Sequence, residues 1–298
     1  MSKKIIPLLQ SMRLRTLPLS LAGVIAGLGL AAHHHTVPSA ITVTILLTAT
    51  LLQILSNLSN ELGDFLSGTD TDERTGPAYS LQNGTLTPTD LRTAITVTAI
   101  LCCLSGTAMI WLSFGTLLCT EAICLLLLGG GAVWAAIRYT LGHNPYGYRG
   151  LGDIFVFLFF GLASVGGSYF VVEHSLDLWV LLPAAAIGLF SIGVLNTNNI
   201  RDMETDAGTR VTIPLKIGLR NARIYQTVLI GGGWVMLILF LLRAASPWIW
   251  LCVITLPLYI LHLRGVWIHT GRLLDKMLPL LVMTTFLLSC ILALTYII

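Results

Sequence analysis

Two stretches of this 298-residue chain carry oxygen-rich side chains at helical spacing. In LQILSNLSNELGDFLSGTDTDERTGP, Gln53, Asn57, Asn60 and Asp64 recur at intervals of four, three and four residues, which stacks them as one polar stripe on a helix. Asp70, Asp72, Glu73 and Arg74 follow directly. In VLNTNNIRDMETDAGTRVTIP, Asn198, Asp202 and Asp206 recur at intervals of four. Carboxylates held close together resist joint ionisation unless a cation lies between them. Asp and Asn supply the hard oxygen donors that suit Mg²⁺, an ion that takes one or two carboxylates and keeps its other positions for water and phosphate. Two such clusters facing each other could hold Mg²⁺ ions bridging a diphosphate, with Arg74, Arg138, Arg201 and Arg210 donating charge-assisted hydrogen bonds to the phosphate oxygens. One cluster alone reads as a solvated helix end; a matched pair, each Asn-x-x-x-Asp at the end of an apolar helix, reads as the two halves of a site.

The elements that must position these residues are membrane spans. Hydrophobic residues make up 55% of the chain and charged residues only 10%, against roughly 25% charged in an average soluble domain. Nine apolar stretches approach the roughly 20 residues needed to cross the hydrocarbon as a helix: approximately 17–33, 38–59, 92–112, 115–137, 152–172, 178–198, 224–242, 248–263 and 277–298. The chain is therefore expected to be an all-α integral membrane protein. It forms one domain over 1–298, with loops 64–91, 138–151, 199–223 and 264–276 on one side. The first apolar run follows a basic, partly amphipathic stretch, MSKKIIPLLQSMRLRT, and leads directly into further spans, so it is read as structure and not as a cleaved leader. If the nine spans alternate, every Lys and Arg except Arg243 falls on the side of those loops. By the positive-inside rule that side, with the N-terminus, is cytoplasmic and the C-terminus is outside. Eleven of the 14 acidic residues, all but Glu121, Glu173 and Asp177, share it. Acidic residues contribute little to orientation, so their gathering there calls for a site that holds cations and a polyanion. The net charge of +3 makes no case for a nucleic-acid partner.

A third polar stretch, AAIRYTLGHNPYGYRGLGDIFVFLFFG, joins the fourth and fifth spans. It carries Arg138 and Tyr139 at a helix end and Asp153 in the first turn of the next helix. Taken alone, Tyr139 could equally be an interfacial anchor. The pairing of NELGD at 60–64 with NNIRDMETD at 198–206, together with RYT and YRGLGD, resembles the UbiA superfamily of intramembrane aromatic prenyltransferases. The resemblance is nearest to the 1,4-dihydroxy-2-naphthoate polyprenyltransferase branch of menaquinone synthesis, and extends from RLRTLPLS to GTRVTIPLKIG. It implies nine helices around a central cavity that opens sideways to lipid, in a bacterial inner membrane. It implies Mg²⁺ and diphosphate at Asn60, Asp64, Asp70, Asn198, Asp202 and Asp206, with Tyr139 facing the reacting centre. The implied reaction moves a polyprenyl group from its diphosphate to the naphthoate with release of diphosphate and carbon dioxide, giving demethylmenaquinol. Arg13, Arg15, Arg138 and Asp153 are the candidates for handling the aromatic acid. The chain has Asn60-Glu61 where the family often has Asn-Asp, and Gly208-Thr209-Arg210-Val211-Thr212 where a Gly-Lys-x-Thr segment is usual. Relatives that use 4-hydroxybenzoate or other acceptors would share the same diphosphate chemistry. A secondary transporter is the alternative from another class, although its site is expected near the bilayer midplane.

The remaining features read as structural. The six cysteines sit in apolar runs as small core hydrophobes, His33, His34 and His35 form a polar external turn, and the runs Gly129–Gly131 and Gly231–Gly233 permit close helix packing.

Overall fold

The computed structural model describes residues 2–33, 36–68, 80–244 and 246–297, apart from the side chains of Ser2 and Lys3. Asp70, Asp72, Glu73, Arg74, His34 and His35 lie outside the described residues. An amphipathic helix α1 (Ser2–Ser11) leaves Ile5, Ile6 and Leu9 exposed and is tied down by Lys4, whose Nζ donates to Asp90 Oδ2 at 2.8 Å. Asp90 also completes a capping box with Thr87 at the start of α4 (Pro88–Phe114), so this one carboxylate closes a helix end and holds α1 against it. The other spans are α2 (Leu17–Ala31), α3 (Ser39–Leu66), α5 (Thr120–Arg138), α6 (Gly152–Glu173), α7 (Leu181–Arg201), α8 (Ile213–Leu241), α9 (Leu256–Ile268, extended at its start by a 3₁₀ segment, Pro247–Thr255) and α10 (Met277–Ile297). Among the described residues nine helices are long and apolar enough to cross a membrane, in agreement with the nine stretches read from the sequence.

Two helices outrun their predicted ends in the polar direction. The second span continues to Leu66, which places Asn60 and Asp64 on regular helix, and the seventh begins at Ile213. Hydropathy falls off where the polar stripe begins, but backbone hydrogen bonding does not, so an apolar window underestimates helices that end in a site. In α8, Gly218 takes φ 79° and interrupts the helix one turn after Pro214 starts it.

Lipid tails are as apolar as leucine, so these helices associate by close packing and hydrogen bonds, not by expelling water. On α2, Gly23 lies against Ser164 and the Phe160 carbonyl, Gly27 against Val165, and Gly29 against the backbone of Ala293 in α10. Gly161 of α6 and Gly188 of α7 meet in the same way. The second glycine run fits its predicted role at Gly233, which faces the Phe190 ring. The first does not: a Cβ at Gly129, Gly130 or Gly131 would meet nothing within 4 Å. Cys102 and Cys252 are core residues as expected, but Cys103 and Cys124 are exposed on the outer face of the bundle. His33 lies in the expected turn, with its ring Nδ1 2.8 Å from the Tyr296 carbonyl.

The bundle has two unlike halves. Phe190, Trp234 and Tyr259 form an aromatic knot among α7, α8 and α9, with the Phe190 and Tyr259 centroids 4.5 Å apart and Trp234 edge-on to Tyr259 at 5.5 Å. Beside it His262, with no exposed surface, sits 3.0 Å from both Gln226 Nε2 and the Met277 carbonyl, while Asn196 donates to Gln226 at 2.8 Å. This half is solid and fixes α7. The half built on α2 to α6 encloses a cavity. Replacing Gly29 with Leu drives a side chain into the α10 backbone and should cost about 1–3 kcal/mol, whereas Gly130→Leu should leave the melting temperature of the detergent-solubilised protein close to that of the parent. Equal melting temperatures for the two variants would contradict the glycine contact.

Candidate active site

At the charged end the two predicted clusters meet. Asp64 is 3% exposed; its Oδ1 accepts a hydrogen bond from Tyr148 Oη at 2.6 Å and lies 3.5 Å from Arg210 Nη2. Arg210 Nε lies 3.1 Å from Asp206 Oδ1, so one guanidinium joins the two clusters. Burial opposes the charge on Arg210, but the Asp64 and Asp206 carboxylates prevail and raise its pKa. The Tyr148 ring lies under the same guanidinium, 5.2 Å from Cζ to centroid. The loop that carries Arg210 is laced to the third polar loop, since Val211 N–H donates to the Tyr148 carbonyl at 3.0 Å. Gly208, at φ 88°, makes the turn that brings Arg210 back over Asp206.

One turn further into α7, Arg201 grips Asp202 with Nε and Nη2, both at 2.7 Å. It also donates to Asn198 Oδ1 at 2.9 Å and to Asp275 at 3.0 Å. Asn60 Oδ1 accepts from the Thr140 hydroxyl at 3.2 Å, and Gly63 packs so tightly on Thr140 that no side chain would fit. Gln53 and Asn57, on the same stripe, turn to the start of α2. There Asn57 donates to the Met12 carbonyl at 2.8 Å and to Thr16 at 2.9 Å. Glu61 is fully buried on another face of α3, where it accepts from the Leu81 N–H at 3.2 Å.

Beneath this cap lies a cavity of about 360 Å³. Gln53, Asn57, Asn60, Tyr139 and Tyr146 line its polar mouth; Leu125, Met109 and Val171 lie at its far end. Leu128 and Gly129 line it and are exposed, so it opens sideways along α5. Tyr139 therefore faces the cavity as expected, edge-on to Tyr146 at 5.4 Å. Burial pushes its phenol up to about 12; Arg210 pulls it down, and Asp64, Asp153 and Asp206 push it up. The phenol stays a neutral donor over the pH range in which enzymes work. Behind Tyr139 a recess just large enough for a water molecule is bordered by Asp153, Asn199, Arg210 and Thr212. Asp153 there accepts from Tyr225 Oη at 2.7 Å.

The other candidates are not gathered in. Arg138 donates to the His143 carbonyl at 2.8 Å within its own loop, Arg15 is exposed, Arg13 is half-buried with φ 49°, and none of the three lines the cavity. Tyr148, Thr140, Tyr225 and Asp275 were missed in the sequence. Tyr148 lies within the singled-out YRGLGD stretch, but nothing in local spacing shows that it bonds a carboxylate 84 positions away.

The donor set fits a divalent cation in kind. Asp64, Asp206, Asp202, Asn60 and Asn198 offer oxygen only, although among the described residues no three His, Cys, Asp or Glu converge. Mg²⁺ needs no such convergence, because phosphate and water complete its shell.

Among the described residues, nine apolar helices, a carboxylate and arginine cap and a largely apolar chamber beneath it define an intramembrane protein with a charged site at one end of the bundle. The chain belongs to the UbiA prenyltransferase family, whose model matches residues 20–291. It is 42% identical over 260 residues to the 1,4-dihydroxy-2-naphthoate octaprenyltransferase of Escherichia coli (strain K12), covering 87% of this chain and 84% of that protein. To the protein of the same description from Haemophilus influenzae it is 36% identical, over 91% and 88%. Among solved structures it resembles a UbiA homolog from Aeropyrum pernix K1, with TM-score 0.67 at 17% identity over 93% of this chain and 98% of that one. It also resembles an Archaeoglobus fulgidus UbiA homolog bound to GPP and Mg²⁺, with TM-score 0.63 at 15% identity over 96% and 99%.

The two arginine contacts of the cap differ in worth. Arg201→Met removes the guanidinium that grips buried Asp202 and should cost roughly 3–5 kcal/mol. Asp275 is 46% exposed, so Asp275→Asn should cost less than about 1 kcal/mol. Denaturation midpoints in detergent give the comparison, and a milder loss in Arg201→Met than in Asp275→Asn would refute it.

Proposed function

We propose that this protein transfers a long-chain prenyl group from a polyprenyl diphosphate to 1,4-dihydroxy-2-naphthoate, releasing diphosphate and carbon dioxide. The observation that carries the reading is the Asp64–Arg210–Asp206 bridge set directly over an apolar cavity. Identity to the naphthoate enzymes over most of both chains supports this acceptor ahead of 4-hydroxybenzoate. The polar cap faces the cytoplasm, residues 1–298 act as one domain, and the whole sits in a bacterial inner membrane.

Asn60, Asp64, Asn198, Asp202 and Asp206 hold Mg²⁺ together with the diphosphate, and Asp70 joins them from outside the described residues. Bound there, the ion supplies positive charge against the charge that develops on the leaving group. Arg210, and Arg201 once it shares Asp202, donate to the phosphate oxygens, a role in which a fork of fixed donors is preorganised. Arg74 is assigned to the same task. Breaking the bond from the allylic carbon to oxygen leaves its electron pair on the diphosphate. The allylic cation that remains lies among Tyr139, Tyr146 and Phe155, whose faces attract positive charge in a largely apolar space. Tyr139, a neutral phenol, donates a hydrogen bond and takes no proton. The electron-rich ring then forms the new carbon–carbon bond. Carbon dioxide departs leaving its bonding pair with the ring, so no oxidant or reductant is needed. Asp153 sits behind Tyr139 and positions it through the recess; Arg13, Arg15 and Arg138 reach the aromatic acid only from the rim.

Asp64→Ala and Asp202→Ala should each abolish release of diphosphate in membranes while the protein still inserts, and a Mg²⁺ chelator should do the same. Full activity in both variants would remove the two-cluster site. Mass analysis of products formed from each aromatic acid separates the acceptors. Tyr139→Phe should lower kcat without introducing a titration below about pH 10, the ordinary phenol value.

A further inference from the structure

The cavity wall contributed by α6 follows an unusual rule. Phe155, Phe159, Ala163, Gly167 and Val171 line it, as do Val156, Phe160, Ser164 and Ser168, and no other residue of the helix does. Both rows recur every four residues. In an α-helix of 3.6 residues per turn each step of four drifts by about 40°, so four steps would carry Val171 to roughly the opposite face from Phe155. Residues Phe157–Gly166 are instead a π-helix. Bonding from i to i+5 underwinds the helix and takes the drift back, which keeps both rows straight down the length of the chamber. On the facing wall α5 keeps ordinary helical spacing through Leu125, Leu128, Gly129, Ala132, Ala136 and Tyr139.

Side-chain size changes along these rows. The end near the cap is aromatic, with Phe155, Phe159 and Phe160; beyond it come Ala163 and Gly167 on α6, and Ala132 and Gly129 on α5. Gly129 lies ten residues before Tyr139, about 15 Å away at 1.5 Å per residue. A Cβ on Gly129 or on Gly167 would meet nothing within 4 Å, so neither glycine is there to let helices touch.

We propose that Gly129 and Gly167 are specificity-determining residues that leave open the passage through which the distal part of a long prenyl chain runs. This rests on the prenyl-transfer reading above. A dimethylallyl or geranyl chain, at about 1.5 Å per bond, ends before that level, whereas an octaprenyl chain must cross it. Bulk placed at either glycine acts on long donors and spares the chemistry at the cap.

The experiment compares Gly129→Phe, Gly167→Phe and the milder Gly129→Leu with the parent in membranes, using geranyl and octaprenyl diphosphates and the naphthoate. Gly130→Phe, next door but outside the cavity lining, is the control. The ratio of octaprenyl to geranyl transfer should fall by about tenfold in the two Phe variants, the effect of one overpacked side chain, and less in Gly129→Leu. Gly130→Phe should keep the parental ratio. An unchanged ratio in the cavity variants, whatever their absolute rates, overturns the assignment, as does an equal fall in Gly130→Phe. If the parent transfers neither prenyl group, the underlying functional reading fails instead.

Discussion

The pairing of buried carboxylates with two arginines is the constraint around which the rest of this molecule is arranged. Asp64, Asp202 and Asp206 are each almost wholly removed from solvent at the end of a membrane bundle. A charge in that position is expensive unless it is matched and hydrogen-bonded. Arg201 and Arg210 supply the match, and each reaches across chain segments to do it: Arg210 joins α3 to the loop after α7, and Arg201 joins the end of α7 to the turn before α10. Arg210 sits in the loop after α7 and Arg201 at the end of that helix, and the ion pairs with the Tyr148 contacts tie these segments together over the chamber. The same groups that make the cap structurally sound are those proposed above to engage a metal–diphosphate head.

A cap of this kind needs rigid helix ends beneath it and a yielding space beside them, and the two halves of the bundle divide these tasks. The aromatic knot of Phe190, Trp234 and Tyr259 and the buried chain from Asn196 through Gln226 to His262 hold α7 in one rotation, which aims Asn198 and Asp202. In the other half, α5 packs on α3 and α4 and buries only Ala122 and Ala135, so the wall it presents to α6 is left unpaired. An underwound α6 completes the chamber without closing it. Rigidity under the cap and space below it come from one bundle because small residues act differently: Gly23, Gly27 and Gly29 bring helices together, while Gly129 and Gly167 leave open space beside them.

The spans and the two carboxylate clusters were readable because each is a one-dimensional pattern. Twenty apolar residues have one stable arrangement in a bilayer, and Asn60 with Asp64, or Asn198 with Asp202, share a helix face by spacing alone. What the spacing could not show was which arginine serves which carboxylate. Arg138 looked as well placed as Arg210, yet it folds back on His143, and the difference lies in the positive-φ turn at Gly208 that returns Arg210 over Asp206. Tyr148 and Asp275 were invisible for the same reason, being close to the site only through loop geometry. Reading Gly129–Gly131 as a packing motif failed because a glycine run on a membrane helix signals absence of side chain and says nothing about whether a neighbour or a void fills the space. The period-four rows of α6 were legible in principle, but they acquire meaning only once the helix is known to be underwound.

Depth then separates an enzyme of this kind from a transporter with similar residues. A transported anion must leave water on one side and return to it on the other, which favours a site near the midplane reached from both. Here the carboxylates and arginines of the cap lie at one end, and among the described residues the chamber below them is lined by no charged side chain: Gln53, Asn57 and Asn60 at the mouth give way to Leu125, Met109 and Val171, with scattered hydroxyls such as Thr48, Ser164 and Ser168 between. Among those residues an anion at the cap would meet no cationic side chain further in, while an apolar tail has no reason to stay at the cap. In the reaction proposed above, a molecule with both ends is oriented along the helix axes before any bond changes, with its head–tail junction near Tyr139. There the Tyr139 phenol stands edge-on to the Tyr146 ring and borders the same small recess as Arg210.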